Sequence, residues 1–313
     1  VRVAALFPGQ GSQFVGMGRD LAQMYPEGRE VFAEADAALG EPLSRVCWEG
    51  PEEALRLTAT TQPALLAHSL AAWRVLERRG VRVEAVAGHS LGEYSAVVAA
   101  GGLPLPEALR LVRRRGELMQ AAVPVGEGAM AAILGLPDEA VAAACREVRE
   151  GGGGMVVPAN FNAPGQVVIA GEAGAVEAAV TLLRERGARR AVPLPVSAPF
   201  HSPLMEPARR GLEPHLEAAP FADLAVPLYR NVDSAPVRAA AEVRDGLIRQ
   251  VDAPVLWSET IRRMRADGFD TFVEVGAGTV LSGLVRRIDR EARCLPAGTA
   301  GQVEAVIGEL GDG

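Results

Sequence analysis

The stretch from Val83 to Ala100 constrains this chain more than any other. It reads as a short apolar strand, then Gly88-His89-Ser90-Leu91-Gly92, then an amphipathic helix. A Gly-x-Ser-x-Gly turn between strand and helix lifts its serine clear of the backbone, the geometry of a nucleophile elbow. Gly88 and Gly92 suit a turn in which strand and helix come too close for a Cβ. The amide of Leu91 opens the helix beside the Ser90 Oγ and carries the positive end of the helix dipole. The five-letter pattern is common by chance; the strand before it and the helix after it carry the reading.

The surrounding pattern is strand–helix alternation, so the class is α/β with a largely parallel sheet. Val3–Phe7 and Thr271–Val275 are expected strands, and Glu107–Ala122 is an expected helix. The middle differs. Strands at 129–136, 155–159, 166–170 and 190–196 and helices at 138–150 and 175–186 follow the order βαββαβ, a ferredoxin-like arrangement. The segment Asn160 to Gly165 is expected to be a loop. The expected division is a core of residues 1–124 and 198–313 with a small subdomain at 125–197.

With 313 residues, of which 49% are hydrophobic and 23% charged, the chain can build a large core without staples. Its three cysteines, Cys47, Cys145 and Cys294, are scattered and form no Cys-x-x-Cys. Neither a disulfide framework nor a metal site is expected, and a reducing cytoplasm fits. The first apolar run, Val3–Phe7, is too short for a signal peptide, and no later run is long enough to span a bilayer. A net charge of −7 argues against nucleic acid as a partner. There is no lysine, so no lysine base, Schiff base or P-loop. Gly151–Gly154 lacks the Gly-Lys-Ser/Thr that a phosphate loop needs, and Gly276-Ala277-Gly278 lacks the third glycine of a dinucleotide fingerprint.

A serine nucleophile needs a base within about 2.6–3.2 Å. Of four histidines, His68 sits among leucines in a helix, His89 adjoins Ser90 and points away from it, and His215 lies in a charged segment. His201 remains, in the proline-bounded loop Pro199-Phe200-His201-Ser202-Pro203 where the chain returns from the expected subdomain. An unperturbed imidazole would lose activity as pH falls through ~6.5. No Asp or Glu stands out as a third member. A thiolate leaving group, with a pKa near ~8.5, tolerates that lack, and a main-chain carbonyl could orient the ring.

On the expected helix 107–122, Arg113 and Arg114 lie on the polar stripe. Arg115 does not: Leu111 and Val112 precede it, and Leu118 and Met119 follow it, on the apolar stripe. A buried guanidinium needs a partner, either an internal carboxylate or the carboxylate of a substrate.

These segments together resemble the malonyl-CoA:acyl-carrier-protein transacylase family. The match runs through Phe7-Pro8-Gly9-Gln10-Gly11-Ser12-Gln13, Thr61-Gln62-Pro63-Ala64, Gly88 to Tyr94, Arg115-Gly116, Asn160 to Val168, Phe200-His201, Asn231-Val232, Gln250 and Glu274-Val275-Gly276. The resemblance implies an α/β-hydrolase-like core with an inserted ferredoxin-like subdomain. It also implies transfer of a malonyl group from malonyl-CoA, through a Ser90 acyl-enzyme, to the phosphopantetheine thiol of acyl carrier protein, for fatty acid synthesis. His201 would be the base, the amides of Gln10 and Leu91 the oxyanion hole, and the Gln250 carbonyl the ring's anchor. Arg115 would grip the malonyl carboxylate. Gln62, Asn160 and Asn162 would line the site, and Phe200 would disfavour branched acyl groups. No metal or organic cofactor is implied, and no membrane partner. Carrier proteins of such enzymes are acidic, so this acidic chain needs a local basic patch; Arg286-Arg287 with Arg290, or Arg189-Arg190, would supply it. A serine esterase or thioesterase on the same elbow, or a module that only binds carrier protein, are the rival readings.

Overall fold

The computed structural model describes residues 1–311. Ten strands occur in chain order: β1 (Val3–Phe7), β2 (Ala85–Gly88), β3 (Gly128–Leu134), β4 (Val156–Ala163), β5 (Gln166–Glu172), β6 (Arg190–Pro193), β7 (Leu228–Tyr229), β8 (Pro236–Val237), β9 (Thr271–Val275) and β10 (Arg293–Ala297). Six of them form one sheet in the order β10-β9-β1-β2-β7-β8. Its neighbours run parallel except β7 and β8, which are antiparallel.

The central strands are apolar along their whole length because both faces are covered. In β1, Ala5 and Phe7 pack towards the buried helix Thr58–Arg78, while Ala4 and Leu6 pack with Trp257, Ile261, Leu281 and Val285 on the other side. The strand period of two thus sends alternate residues into two separate cores. The carboxyl ends of β1 and β2 meet at the register pair Phe7–Gly88. The loops leaving both strands therefore open at one place.

The second sheet is antiparallel, in the order β4-β5-β3-β6. Ile133, Val167 and Ile169 face the helices Asp138–Glu150 and Ala173–Glu185, forming their own core. Met130, Val168 and Ala170 point the other way and join the main core. The sheet is also stitched to the body: the Phe161 N–H donates to the Val255 carbonyl at 2.9 Å, and the Val255 N–H to the Ala159 carbonyl at 2.8 Å.

The expected fold class is thereby corrected. The chain is an α/β fold with mixed sheets, not an α/β-hydrolase-like core with an inserted ferredoxin-like subdomain. The elbow strand β2 lies between β1 and the far-removed β7, an antiparallel strand closes that edge, and the second sheet shares the main core. Local alternation of strand and helix carries no information on these long-range pairings. A smaller correction concerns Asn160 to Ala163, expected as a loop, which belong to β4. Register shifts at Pro158/Asn160 and Phe161/Ala163 break the alternation that would have marked them as strand. Among the described residues no helix is long and apolar enough to cross a membrane.

Candidate active site

Ser90 sits between β2 and the helix Gly92–Ala99, with φ at 52°. This left-handed conformation costs a non-glycine residue roughly 1–3 kcal/mol and persists only where its surroundings enforce it. They do. A Cβ on Gly88 would lie 1.9 Å from the Gly92 carbonyl oxygen, and one on Gly92 would lie 2.0 Å from that of Phe7. The Ser90 N–H donates to Asn231 Oδ1 at 2.8 Å, and Asn231 Nδ2 donates to the Gly88 carbonyl at 2.7 Å. Gln250 Nε2 donates to the Ser90 carbonyl at 3.0 Å. The amides of Gln10 and Leu91, both at the pocket wall, donate to no protein acceptor among the described residues.

His201 is buried, also with a left-handed φ, 57°. Its Nε2 lies 2.6 Å from Ser90 Oγ, and its Nδ1 lies 2.9 Å from the main-chain carbonyl of Gln250. The carbonyl can only accept, so Nδ1 carries the proton and Nε2 is free to take one from the serine. Burial, and after it the charge of Arg115, push the His201 pKa down to about 3. The ring is therefore neutral at physiological pH.

Arg115 is 1% exposed, on the helix Leu105–Ala121. Its Nη1 donates to Gln62 Oε1 at 2.8 Å, and its Nη2 to Gln250 Oε1 at 2.8 Å and to Ser90 Oγ at 3.2 Å. Its guanidinium stands 5.4 Å from the centroid of the Tyr94 ring. Of the two partners left open by the sequence, an internal carboxylate is not the one present: Arg115 forms no ion pair among the described residues, whereas Arg113 pairs with Glu41 and Arg114 with Glu117.

These groups open into a pocket of about 280 Å³, walled by Gln10, Leu91, Arg115, Met119, Met130, Asn160, Asn162, Val168, Phe200 and His201 among others. Asn162 Oδ1 accepts from His89 Nε2 at 2.7 Å, and the His89 ring stands against Trp257. Gln62 and Gln250 are not in the pocket wall; both stand behind Arg115. His68 is buried with its Nε2 2.7 Å from the Gly298 carbonyl, and His215 is exposed.

Two contributors escaped the residue-by-residue reading. Asn231 holds the elbow from below, and Glu93, fully buried, accepts the Asn231 N–H at 2.8 Å. Burial pushes the Glu93 carboxyl up to about 7, against the pull of that hydrogen bond. A glutamate so close to an elbow, the one charged residue of its helix, was the available signal.

The acyl transferase domain family matches residues 5–310 of this chain. The chain is 46% identical over 309 residues to the malonyl CoA-acyl carrier protein transacylase of Bacillus subtilis, covering 99% of this chain and 97% of that protein. It is 50% identical over 286 residues to the protein of the same description from Escherichia coli, covering 91% and 92%. Among solved structures it is similar to a malonyl-transacylase in complex with its type II PKS acyl-carrier protein, with TM-score 0.96 and 45% identity over 98% of this chain and 99% of that one. It is equally similar to the acyl-carrier-protein-S-malonyltransferase of Bartonella henselae, with TM-score 0.96 and 47% identity over 99% of both chains. With an elbow serine, a neutral histidine in reach of it and a buried arginine aimed at the same oxygen, the chain belongs to the malonyl-CoA:acyl carrier protein transacylase family.

Proposed function

We propose that Ser90 is the nucleophile, His201 its base, and Arg115 the group that receives the acyl carboxylate. The chain transfers a malonyl group from malonyl-CoA to the phosphopantetheine thiol of acyl carrier protein by way of an acylated serine, in fatty acid biosynthesis. Ser90 Oγ attacks the thioester carbonyl carbon as its proton passes to His201 Nε2. The amides of Gln10 and Leu91 receive the oxyanion. The C–S bond breaks, and the coenzyme A sulfur leaves with the proton from Nε2. The carrier thiol then repeats the sequence in reverse: its proton goes to Nε2, its sulfur attacks the ester carbon, the C–O bond to Ser90 breaks, and Oγ regains the proton from Nε2. This is a ping-pong course.

The observation that carries the reading is the 2.6 Å contact of Ser90 Oγ with His201 Nε2, beside an Arg115 Nη2 at 3.2 Å. Phe200, at the pocket wall, narrows the room for a branched acyl group. Asn160 and Asn162 also line the pocket wall. In this reading residues 1–124 and 198–313 form the catalytic core, residues 125–197 a small subdomain beside the site, and the chain works in the cytoplasm. The test is the intact mass of protein mixed with malonyl-CoA. A stable malonyl adduct is expected on the wild-type chain and none on Ser90→Ala; an adduct that survives this substitution would place the nucleophile elsewhere.

A further inference from the structure

Arg115 is a buried cation held only by neutral groups. Its two terminal nitrogens meet the amide oxygens of Gln62 and Gln250, each at 2.8 Å, and the Ser90 hydroxyl at 3.2 Å. Glu93, buried on the neighbouring helix, makes no ion pair with it among the described residues and turns its Oε2 to the Asn231 N–H. Gln62 and Gln250 come from separate segments, the helices Thr58–Arg78 and Ala240–Gln250, and neither is more than 1% exposed. Arg115 borders the pocket and they do not.

A glutamate at either position would accept the same hydrogen bond, and a stronger one. Gln250 has a separate need for its amide, because Nε2 donates to the Ser90 carbonyl. Gln62 has no such need: its Nε2 has only the Met119 sulfur, at 3.7 Å. Hydrogen bonding therefore does not account for an amide at Gln62. Charge does, because a carboxylate there would neutralise Arg115 before any acyl group arrived.

We propose that Gln62 and Gln250 form a neutral clamp that fixes the Arg115 fork and leaves its charge without a carboxylate in contact. The clamp's neutrality then sets the preference for a carboxylate-bearing acyl group over an uncharged one. Both act as positioning residues, not as substrate contacts. This rests on the reading that Arg115 receives the acyl carboxylate.

The test compares acylation by malonyl-CoA and by acetyl-CoA in the full chain carrying Gln62→Glu, Gln62→Met or Arg115→Ala. In Gln62→Glu the malonyl-to-acetyl ratio of kcat/KM should fall about tenfold or more, as pairing a charge in advance removes its use to a ligand. In Gln62→Met, which removes an acceptor but adds no charge, the ratio should stay within about threefold of wild type even if both rates drop. A wild-type ratio in Gln62→Glu overturns the clamp, and so does an equal fall in Gln62→Met. If Gln62→Glu does not fold, Gln62→Asp read by the same ratio decides the matter in the same way, since Gln250→Glu would also remove the donor to the Ser90 carbonyl. Arg115→Ala separates the two ideas. An unchanged ratio there defeats the reading of Arg115 itself, while a collapsed ratio there beside an intact one in Gln62→Glu defeats the clamp alone.

Discussion

The imidazole of His201 rests on the main-chain carbonyl of Gln250, 2.9 Å from Nδ1, so a neutral acceptor orients it in place of a carboxylate. With no anion beside the ring, the hydrogen bond to the Gln250 carbonyl offsets only part of the effect of its burial and of the Arg115 charge, and its pKa falls to about 3. The acid limb expected near ~6.5 for an ordinary imidazole is thereby displaced.

Acylation of Ser90 should show this displacement. With His201 in the proposed role of base its neutral form is the active one, so the rate of a single acylation turnover should hold through pH 6.5 and decline only well below it. Arg115 is the second cause of the depression, so Arg115→Ala should move the limb upward while burial keeps it below 6.5. His201→Ala should abolish the limb and slow acylation by about 10²–10⁴-fold. A wild-type limb centred at 6.5 would contradict the burial of the ring without an anionic partner.

Arg115→Ala should weaken malonyl transfer by roughly 2–5 kcal/mol, the range for removing one partner of a buried charged pair. Acetyl transfer should suffer far less, since it brings no carboxylate to the fork. Steady-state kcat/KM for the two donors measures this; equal losses would mean that Arg115 supports the pocket and does not read the acyl group.

Glu93 should make the protein less stable in alkali. Its folded pKa, about 7, exceeds the ordinary 4.5 because burial favours the neutral acid. The folded state thus binds the proton more tightly than the unfolded chain. The resulting stability is complete below pH 4.5 and lost as pH rises through 7, a loss on the order of 3 kcal/mol. Glu93→Gln cannot titrate, so the stability of wild type relative to this variant should decline between pH 5 and pH 8 in denaturant unfolding. A difference that stays flat with pH would show that the carboxyl does not change its charge there.

Carrier-protein docking should depend on one basic surface. Arg286, Arg287 and Arg290 line a recess with Pro164, and Arg287 also lines the adjoining recess with Arg189 and Arg262. Arg189 and Arg262, far from Arg287 in sequence, therefore share one recess with it, which Asp138 and Glu139 also line. Pro164 is two residues from Asn162 in the pocket wall. Reversing Arg286 and Arg287 to Glu should raise the KM for carrier protein, most steeply at low salt where the Debye length is long. Acylation by malonyl-CoA alone should barely change. Carrier kinetics unaltered at low ionic strength would remove this surface from docking.

Much of the candidate site's arrangement was legible because its signals are local. The elbow needs only a strand, two glycines and a helix, and Arg115 betrays itself by sitting among Leu111, Val112, Leu118 and Met119. His201 emerged by elimination, since three other histidines had plainer explanations. The rest depends on contacts between distant segments. Asn231 under Ser90, and the Gln250 side chain bridging Ser90 and Arg115, follow from where β7 and the helix Ala240–Gln250 dock, which no local pattern records. The fold class failed for the same reason: strand order within the large sheet is a property of pairing, not of periodicity.

The left-handed backbone at Ser90 carries one more consequence. At positive φ a β-branched side chain crowds its own main chain, whereas an unbranched one does not. Threonine offers the same hydroxyl chemistry but would have to fight the turn that presents it. Cysteine keeps the unbranched Cβ and fits. The turn therefore selects the kind of side chain it presents as well as its position: a primary alcohol or a thiol is admitted, and a secondary alcohol is shut out.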